Sequence, residues 1–375
     1  MVKKISLKKK LKHYLEQRVD KLKIMKKVNI AIIGFGFMGK VYAHAANTLK
    51  DFFPDSPDVE VSAILVSKNK TISEIKSIQN RYKIRKVTNK IDDLLNDSSI
   101  DAFYIATPND LHYEHVKLAL ARNKHVLCDK PMGLNISETK HMLELANAKK
   151  KIISNVVFQY RFLPCIVKIK NMIDLNHLGD IIQFRFMYLH GSYIDERPIT
   201  WRLKKGTGGA LVDLGPHVFD LINFLLGDFK INFAKKKSKI KDRDVDDAAW
   251  ILCQTNNAAD GYVELSRVST GSIDDLRLEI HGTKGAVKWN LEDLNYLHFF
   301  DKTSDNNGYV KLPVFTNNQS DFPPPKVTSG WIQSHINCLY NFVKEISDDS
   351  YKNKNAAKFK DGHKVQKQIE KIITI

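Results

Sequence analysis

Cysteine is scarce. Cys128, Cys165, Cys253 and Cys338 are the only four, widely spaced and without a Cys-x-x-Cys pair. That excludes a disulfide scaffold and fits free thiols in a reducing compartment, so a cytoplasmic protein is expected. No His/Cys/Asp cluster has metal-ligand spacing, and no metal is expected. No apolar run approaches about 20 residues, which excludes a helical membrane span. The N-terminus lacks the apolar stretch and small-residue cleavage site of a secretory signal. Acidic residues are outnumbered, 42 against 59 Lys and Arg, for a net charge of +17. Residues 1–27 hold eleven of those bases against Glu16 and Asp20, a net of +9. The lysine and asparagine enrichment is general, so no nucleic-acid partner is expected. Residues 1–26 form a basic extension. Leu7, Leu11, Tyr14, Leu15, Arg18 and Leu22 have rough helical spacing suited to an anionic surface. A translation start at Met25 would instead make that segment dispensable.

What is present is a nucleotide-binding pattern. Val28-Asn29-Ile30-Ala31-Ile32-Ile33 reads as a buried parallel strand. It runs into Gly34-Phe35-Gly36-Phe37-Met38-Gly39 and then a helix over residues 40–49. Strand, G-x-G-x-x-G and helix in that order make the dinucleotide fingerprint. Gly34 allows the turn, Gly36 admits the pyrophosphate, and Gly39 brings helix and strand together. The second strand, Val59–Val66, follows a loop over Asp51–Asp58 and ends in Ser67-Lys68-Asn69-Lys70. An NAD site usually has an acid here for the ribose 2′-hydroxyl. Ser67 and Lys68 suit a 2′-phosphate, so NADP is favoured over NAD, with use of either cofactor as the alternative.

Further strands at Ile100–Ala106 and His125–Cys128 end in Thr107-Pro108-Asn109-Asp110-Leu111-His112 and Asp129-Lys130-Pro131. Ligands of open parallel sheets bind beyond such strand ends, so Thr107, Pro108, Asn109, His112, Asp129 and Lys130 are expected to line the cofactor. From Ile181 onward apolar and polar residues alternate over several strands with few helices between, which predicts a mostly antiparallel sheet. One face is expected to be covered by helices, and the other needs a cover. The fold class is therefore α/β: a Rossmann doubly wound parallel sheet over 27–150, then an α+β domain with an open, mostly antiparallel sheet over 151–375. That second domain binds substrate and carries the oligomer contacts, and its C-terminal helices return to the first. Ile332, Ile336, Leu339, Val343 and Ile346 form a core stripe near the end.

In Gly209-Ala210-Leu211-Val212-Asp213-Leu214-Gly215-Pro216-His217 a carboxylate and an imidazole stand four residues apart, on one face if the segment is helical. Such a pair supplies a dehydrogenase with a base and a group that orients it.

These motifs in this order resemble the Gfo/Idh/MocA family of NAD(P)-dependent oxidoreductases. The matching segments are Gly34 to Gly39, Ala106-Thr107-Pro108-Asn109 with His112, Asp129-Lys130-Pro131, and Gln159-Tyr160-Arg161-Phe162-Leu163-Pro164. Trp201-Arg202, Gly208 to Asp213 with His217, and Phe359 to Val365 complete the set. The resemblance implies Lys130, Asp213 and His217 as the catalytic set, with Asp213 orienting the imidazole and either Lys130 or His217 as the base. It implies a sugar or cyclitol alcohol as substrate, Arg161 and Tyr193 near it, and Trp201 and Arg202 near the cofactor. It also implies a second subunit over the uncovered sheet face, in a dimer or tetramer. Tyr188 is an equally good packing residue, and the loop Asp195-Glu196-Arg197-Pro198 is expected to border the substrate. Asp129 replaces the family's usual glutamate, a tuning difference. Two competing functions remain open: a nucleotide-binding sensor without catalysis, and a glycosidase-like or imine-reducing relative.

Overall fold

The computed structural model describes residues 27–194, 201–238, 240, 244–305, 307–315, 322 and 327–374. The basic extension and the Asp195-Glu196-Arg197-Pro198 loop lie outside the described residues.

Two sheets organise the chain. The first contains β1 (Val28–Ile33), β2 (Val59–Leu65), β3 (Lys86–Thr88), β4 (Ala102–Ile105), β5 (His125–Cys128) and β6 (Ser154–Val156). Its order is β3-β2-β1-β4-β5-β6, all parallel. That is the doubly wound arrangement with its switch between β1 and β4. Its helices are α1 (Phe37–Phe52), α2 (Ile72–Tyr82), the single turn α3 (Asp92–Leu95), α4 (His112–Ala121) and α5 (Ile136–Asn147). β1 and β4 are almost wholly buried, which is why they read as continuous apolar runs. α1 starts earlier than periodicity suggested and continues to Phe52, so the predicted loop shrinks to about residues 53–58.

After α6 (Pro164–Asp174) comes β7 (Ile181–Leu189), then α7 (Ala210–Leu226) and β8 (Phe229–Lys237). β9 (Ala248–Thr255), β10 (Asp260–Ser266), β11 (Asp275–Gly282), β12 (Gly285–Asn290), β13 (Tyr296–Asp301) and β14 (Val310–Pro313) follow. The second sheet has the order β14-β13-β12-β11-β7-β10-β9-β8 and is antiparallel except where β10 meets β7. α7 is buried along most of its length and covers one face of this sheet.

The last two helices, α8 (Trp331–Ser347) and α9 (Phe359–Ile373), pack back on the first domain. Tyr340 Oη and Lys344 Nζ of α8 donate to Asp55, in the loop between α1 and β2, at 2.9 and 3.0 Å. Ile136 N, at the start of α5, donates to Glu370 of α9 at 2.6 Å. Leu339, Val343 and Ile336 of the predicted stripe are buried, while Ile332 is 42% exposed.

Candidate active site

The glycine loop is shaped by collisions a side chain would cause. Gly34 has φ +96°, and a Cβ there would meet the main chain of Ala106 at the end of β4. A Cβ at Gly39 would run into the carbonyl of Gly34, which fixes helix against strand. At Gly36 nothing lies within 4 Å, so the space in front of the α1 N-terminus is open. That helix has no side-chain cap and no acid in its first turn. Its free N–H groups and positive dipole end therefore suit a pyrophosphate. Phe35 packs edge-on against Tyr82, and Phe37, 70% exposed, stacks on Trp331 of α8. Met38 packs against the core behind the loop. Ser67 and Lys68 follow β2 in an exposed turn, where Lys68 O accepts from Asn89.

Beyond β4, Thr107 Oγ1 lies 3.3 Å from His115 Nδ1. Asn109 is buried and donates from Nδ2 to the carbonyl of Thr207 at 2.8 Å, tying the loop after Pro108 to the segment before α7. His112 differs from expectation. Its ring is buried, with Nδ1 2.8 Å from Pro131 O and Nε2 3.0 Å from Thr107 O. Burial lowers its pKa, and the neutral ring donates only one of these two contacts. It is an internal staple between two strand-end loops, not a cofactor ligand. Asp129 is likewise turned inward. Its carboxylate accepts from Lys130 N at 2.8 Å and Tyr104 Oη at 3.3 Å, so it braces the lysine's backbone instead of reaching a cofactor.

Lys130, Asp213 and His217 come together across the two domains. Lys130 Nζ donates to Asp213 O at 3.0 Å and approaches Asp213 Oδ1 at 3.3 Å. The main chain places Asp213 in the first turn of α7. Gly209 has φ +104°, and side chains at Gly208 or Gly209 would collide with Arg202 or Asp246. Asp246 then caps the helix, accepting from Leu211 N at 2.8 Å.

The spacing of Asp213 and His217 suggested that the acid orients the imidazole. It does not. Asp213 is held by Lys130 and by Arg267, with Arg202 Nε 3.5 Å away. His217 Nδ1 is buried without a hydrogen-bond partner among the described residues. The imidazole is positioned by aromatic packing: its ring lies 4.8 Å from Tyr160 and 5.8 Å from Tyr188. Three cations thus converge on one carboxylate, and the ring beside them is fixed by shape.

Burial, opposed by Asp129 and reinforced by Arg202 and Arg267, brings the Lys130 ammonium down to about 7. Burial and the charge of Lys130 push His217 well below its ordinary value.

Arg161 does not serve the cleft. Its guanidinium is buried in a bidentate pair with Asp220, Nε to Oδ2 at 2.8 Å and Nη2 to Oδ1 at 2.5 Å, with Asp361 3.8 Å away. A carboxylate three residues beyond His217 claims the cation, so the substrate role expected of Arg161 is withdrawn. Tyr193 and Trp201 are nearer. Arg267 stacks over Tyr193 at 5.0 Å and Arg202 over Trp201 at 4.2 Å, so each ring steadies a cation of the Asp213 cluster.

Arg267, Tyr160, His190 and Asp274 belong to the surroundings of the site without having been anticipated. Tyr160 stands inside the segment that drew notice to Arg161. Arg267 follows β10 with no motif around it, so only the fold reveals it.

Residues 28–156 match the model of the oxidoreductase family with an NAD-binding Rossmann fold, and residues 166–288 match the GFO/IDH/MocA C-terminal domain. The chain is similar to levoglucosan dehydrogenase of Pseudarthrobacter phenanthrenivorans, 28% identical over 91% of this chain and 94% of the relative. Glucose-6-phosphate 3-dehydrogenase of Bacillus subtilis is 28% identical over the same shares, 91% and 94%. Among solved structures, levoglucosan dehydrogenase in complex with NADH and levoglucosan superposes with a TM-score of 0.86, at 27% identity, covering 93% of this chain and 96% of that one. With its glycine loop, its two sheets and both family domains in sequence order, this chain belongs to the Gfo/Idh/MocA family of oxidoreductases.

Proposed function

We propose that this protein transfers a hydride between a hydroxyl-bearing carbon of a sugar or cyclitol and a nicotinamide dinucleotide. The observation that carries the reading is the meeting of Lys130 and Asp213, with Nζ 3.0 Å from Asp213 O, which joins the glycine-loop domain to the helix that also carries His217. The nicotinamide supplies the redox chemistry when bound. The glycine loop and the α1 N-terminus hold its pyrophosphate. Lys130, with an amine near 7, takes the hydroxyl proton, because a base works best with its pKa near the operating pH. His217, neutral, hydrogen-bonds the same oxygen through Nε2. Asp213 holds the Lys130 amine in place while Arg267 and Arg202 offset its charge. Relatives named for levoglucosan and glucose 6-phosphate support the substrate class.

NADP is the favoured cofactor, because β2 ends in Ser67 and Lys68 without an acid. A homo-oligomer is also proposed. Phe233 pairs across strands with Leu252, and Leu252 with Tyr262, on the sheet face turned away from α7. Phe233 and Leu252 are 55% and 49% exposed, and light scattering should find a dimer or tetramer. Four buried free thiols fit a cytoplasmic location.

The test is a cofactor-reduction screen with inositols, aldoses and anhydrosugars as substrates. Absorbance from reduced nicotinamide with at least one polyol is expected. Silence across the panel, with tight cofactor binding, would favour a sensor that binds the nucleotide without chemistry.

A further inference from the structure

Asp274 stands just before β11, and its surroundings are built with unusual care for a loop residue. Its Oδ1 accepts from Tyr188 Oη at 2.8 Å and lies 3.1 Å from His190 Nε2. Tyr188 Oη is in turn 2.9 Å from Tyr160 Oη. Tyr160 and Tyr188 are the two rings packed against His217. The Asp274 carboxylate is therefore one hydrogen bond from the wall that positions the imidazole. It is also close enough for its charge to act on Lys130 and Arg267.

The tyrosines are buried, but the Asp274 side chain is 42% exposed. Both of its contacts fall on Oδ1, and Oδ2 takes no hydrogen bond among the described residues. Burial works against its charge, yet hydrogen bonds from His190 and Tyr188 outweigh it and keep the carboxyl below its ordinary range. The result is an ionised, pre-oriented acceptor on a half-exposed side chain.

We propose that Asp274 is a substrate-binding residue that determines specificity, its free Oδ2 accepting a hydrogen bond from a ring hydroxyl of a neutral polyol near the carbon addressed by Lys130 and His217. The proposal rests on the dehydrogenase reading for the identity of the ligand. Tyr188 and His190 are positioning residues that fix the carboxylate. The charge selects hydroxyl donors and repels a carboxylate or phosphate at that end of the substrate.

The test compares the wild-type protein with Asp274→Asn, an isostere that keeps the shape and loses the charge. Levoglucosan, D-glucose and myo-inositol, with singly deoxygenated analogues of each, are titrated calorimetrically into the NADH complex and assayed for turnover. Loss of a charged acceptor should raise Kd and KM about 10- to 100-fold for a polyol that carries the hydroxyl, with little change in kcat and none in NADH affinity. The analogue lacking that hydroxyl should bind both proteins alike. An equal penalty on parent and analogues, or no penalty at all, would overturn the proposal. If Asp274→Asn does not fold, Tyr188→Phe, which frees Oδ1 from its donor, should show the same substrate pattern at smaller amplitude. Wild-type binding of a polyol without turnover would sink the proposed reaction and leave Asp274 to be judged on binding alone. Failure of the wild-type protein to bind any polyol would sink both.

Discussion

Lys130 Nζ lies 3.0 Å from the main-chain oxygen of Asp213 and 3.3 Å from its carboxylate, although 83 positions separate the two in sequence. One residue ends a strand of the nucleotide domain and the other opens a helix of the second domain. Their contact is the proposed centre of the chemistry.

The rate of alcohol oxidation should rise with pH and level off above a midpoint near 7. The Lys130 pKa is lowered to about 7, so below that value the amine carries its proton and cannot accept another. The measurement is kcat/KM against pH with saturating cofactor. A profile flat from pH 6 to 9 would remove Lys130 from the role of base.

Asp213→Asn should cut kcat by about two orders of magnitude or more, the scale of general-base catalysis, while sparing NADH affinity. It should also move the pH midpoint below 7, because losing a negative charge near an ammonium favours the neutral amine. Steady-state kinetics and calorimetric NADH titration check both parts. An unchanged midpoint would mean that the carboxylate does not act on Lys130.

Arg161→Met should damage folding and leave substrate binding alone. It strands Asp220, whose carboxyl burial already raises to about 6. Breaking such a pair costs about 3–5 kcal/mol. Urea denaturation gives the stability, and KM of the surviving folded enzyme should match wild type. A raised KM with wild-type stability would restore Arg161 to the substrate site.

Lys68→Glu should reverse cofactor choice. Efficiency with NADP should fall by about 10- to 100-fold, the worth of a charge-assisted contact, and efficiency with NAD should hold or rise. A wild-type enzyme already strongly selective for NAD would count against the Ser67–Lys68 reading at once.

How much was legible in the sequence depended on whether the signal was local. Gly34 and Gly39 could be read because strand, turn and helix are consecutive, and their steric reasons lie within a few residues or across one strand. Lys130 was singled out by the end of its strand together with the family resemblance. The spacing of Asp213 and His217 correctly put them on one helix, but could not say which neighbours each would take. Asp213 sits in the first turn of α7, beside the strand-end lysine and Arg267, and goes to the cations. His217, one turn on, meets two tyrosines. Arg161 erred for the same reason: nothing local says that Asp220 will close over it. The sheet suffered less. Its alternation was visible from Ile181 onward, whereas β3, only three residues long, and the lysine-rich β8 gave no such signal.

The return of α8 and α9 to the nucleotide domain has a consequence for biosynthesis. Residues up to Val156 complete the parallel sheet, yet among the described residues Asp55 and Ile136 receive their side-chain partners from Tyr340, Lys344 and Glu370. During synthesis the first half must wait, half-clothed, for the tail to emerge. A ribosome stalled before α8 would therefore display a nucleotide domain with bare α1 surface, a natural client for chaperones, and a chain clipped there should not yield a separable, soluble cofactor module.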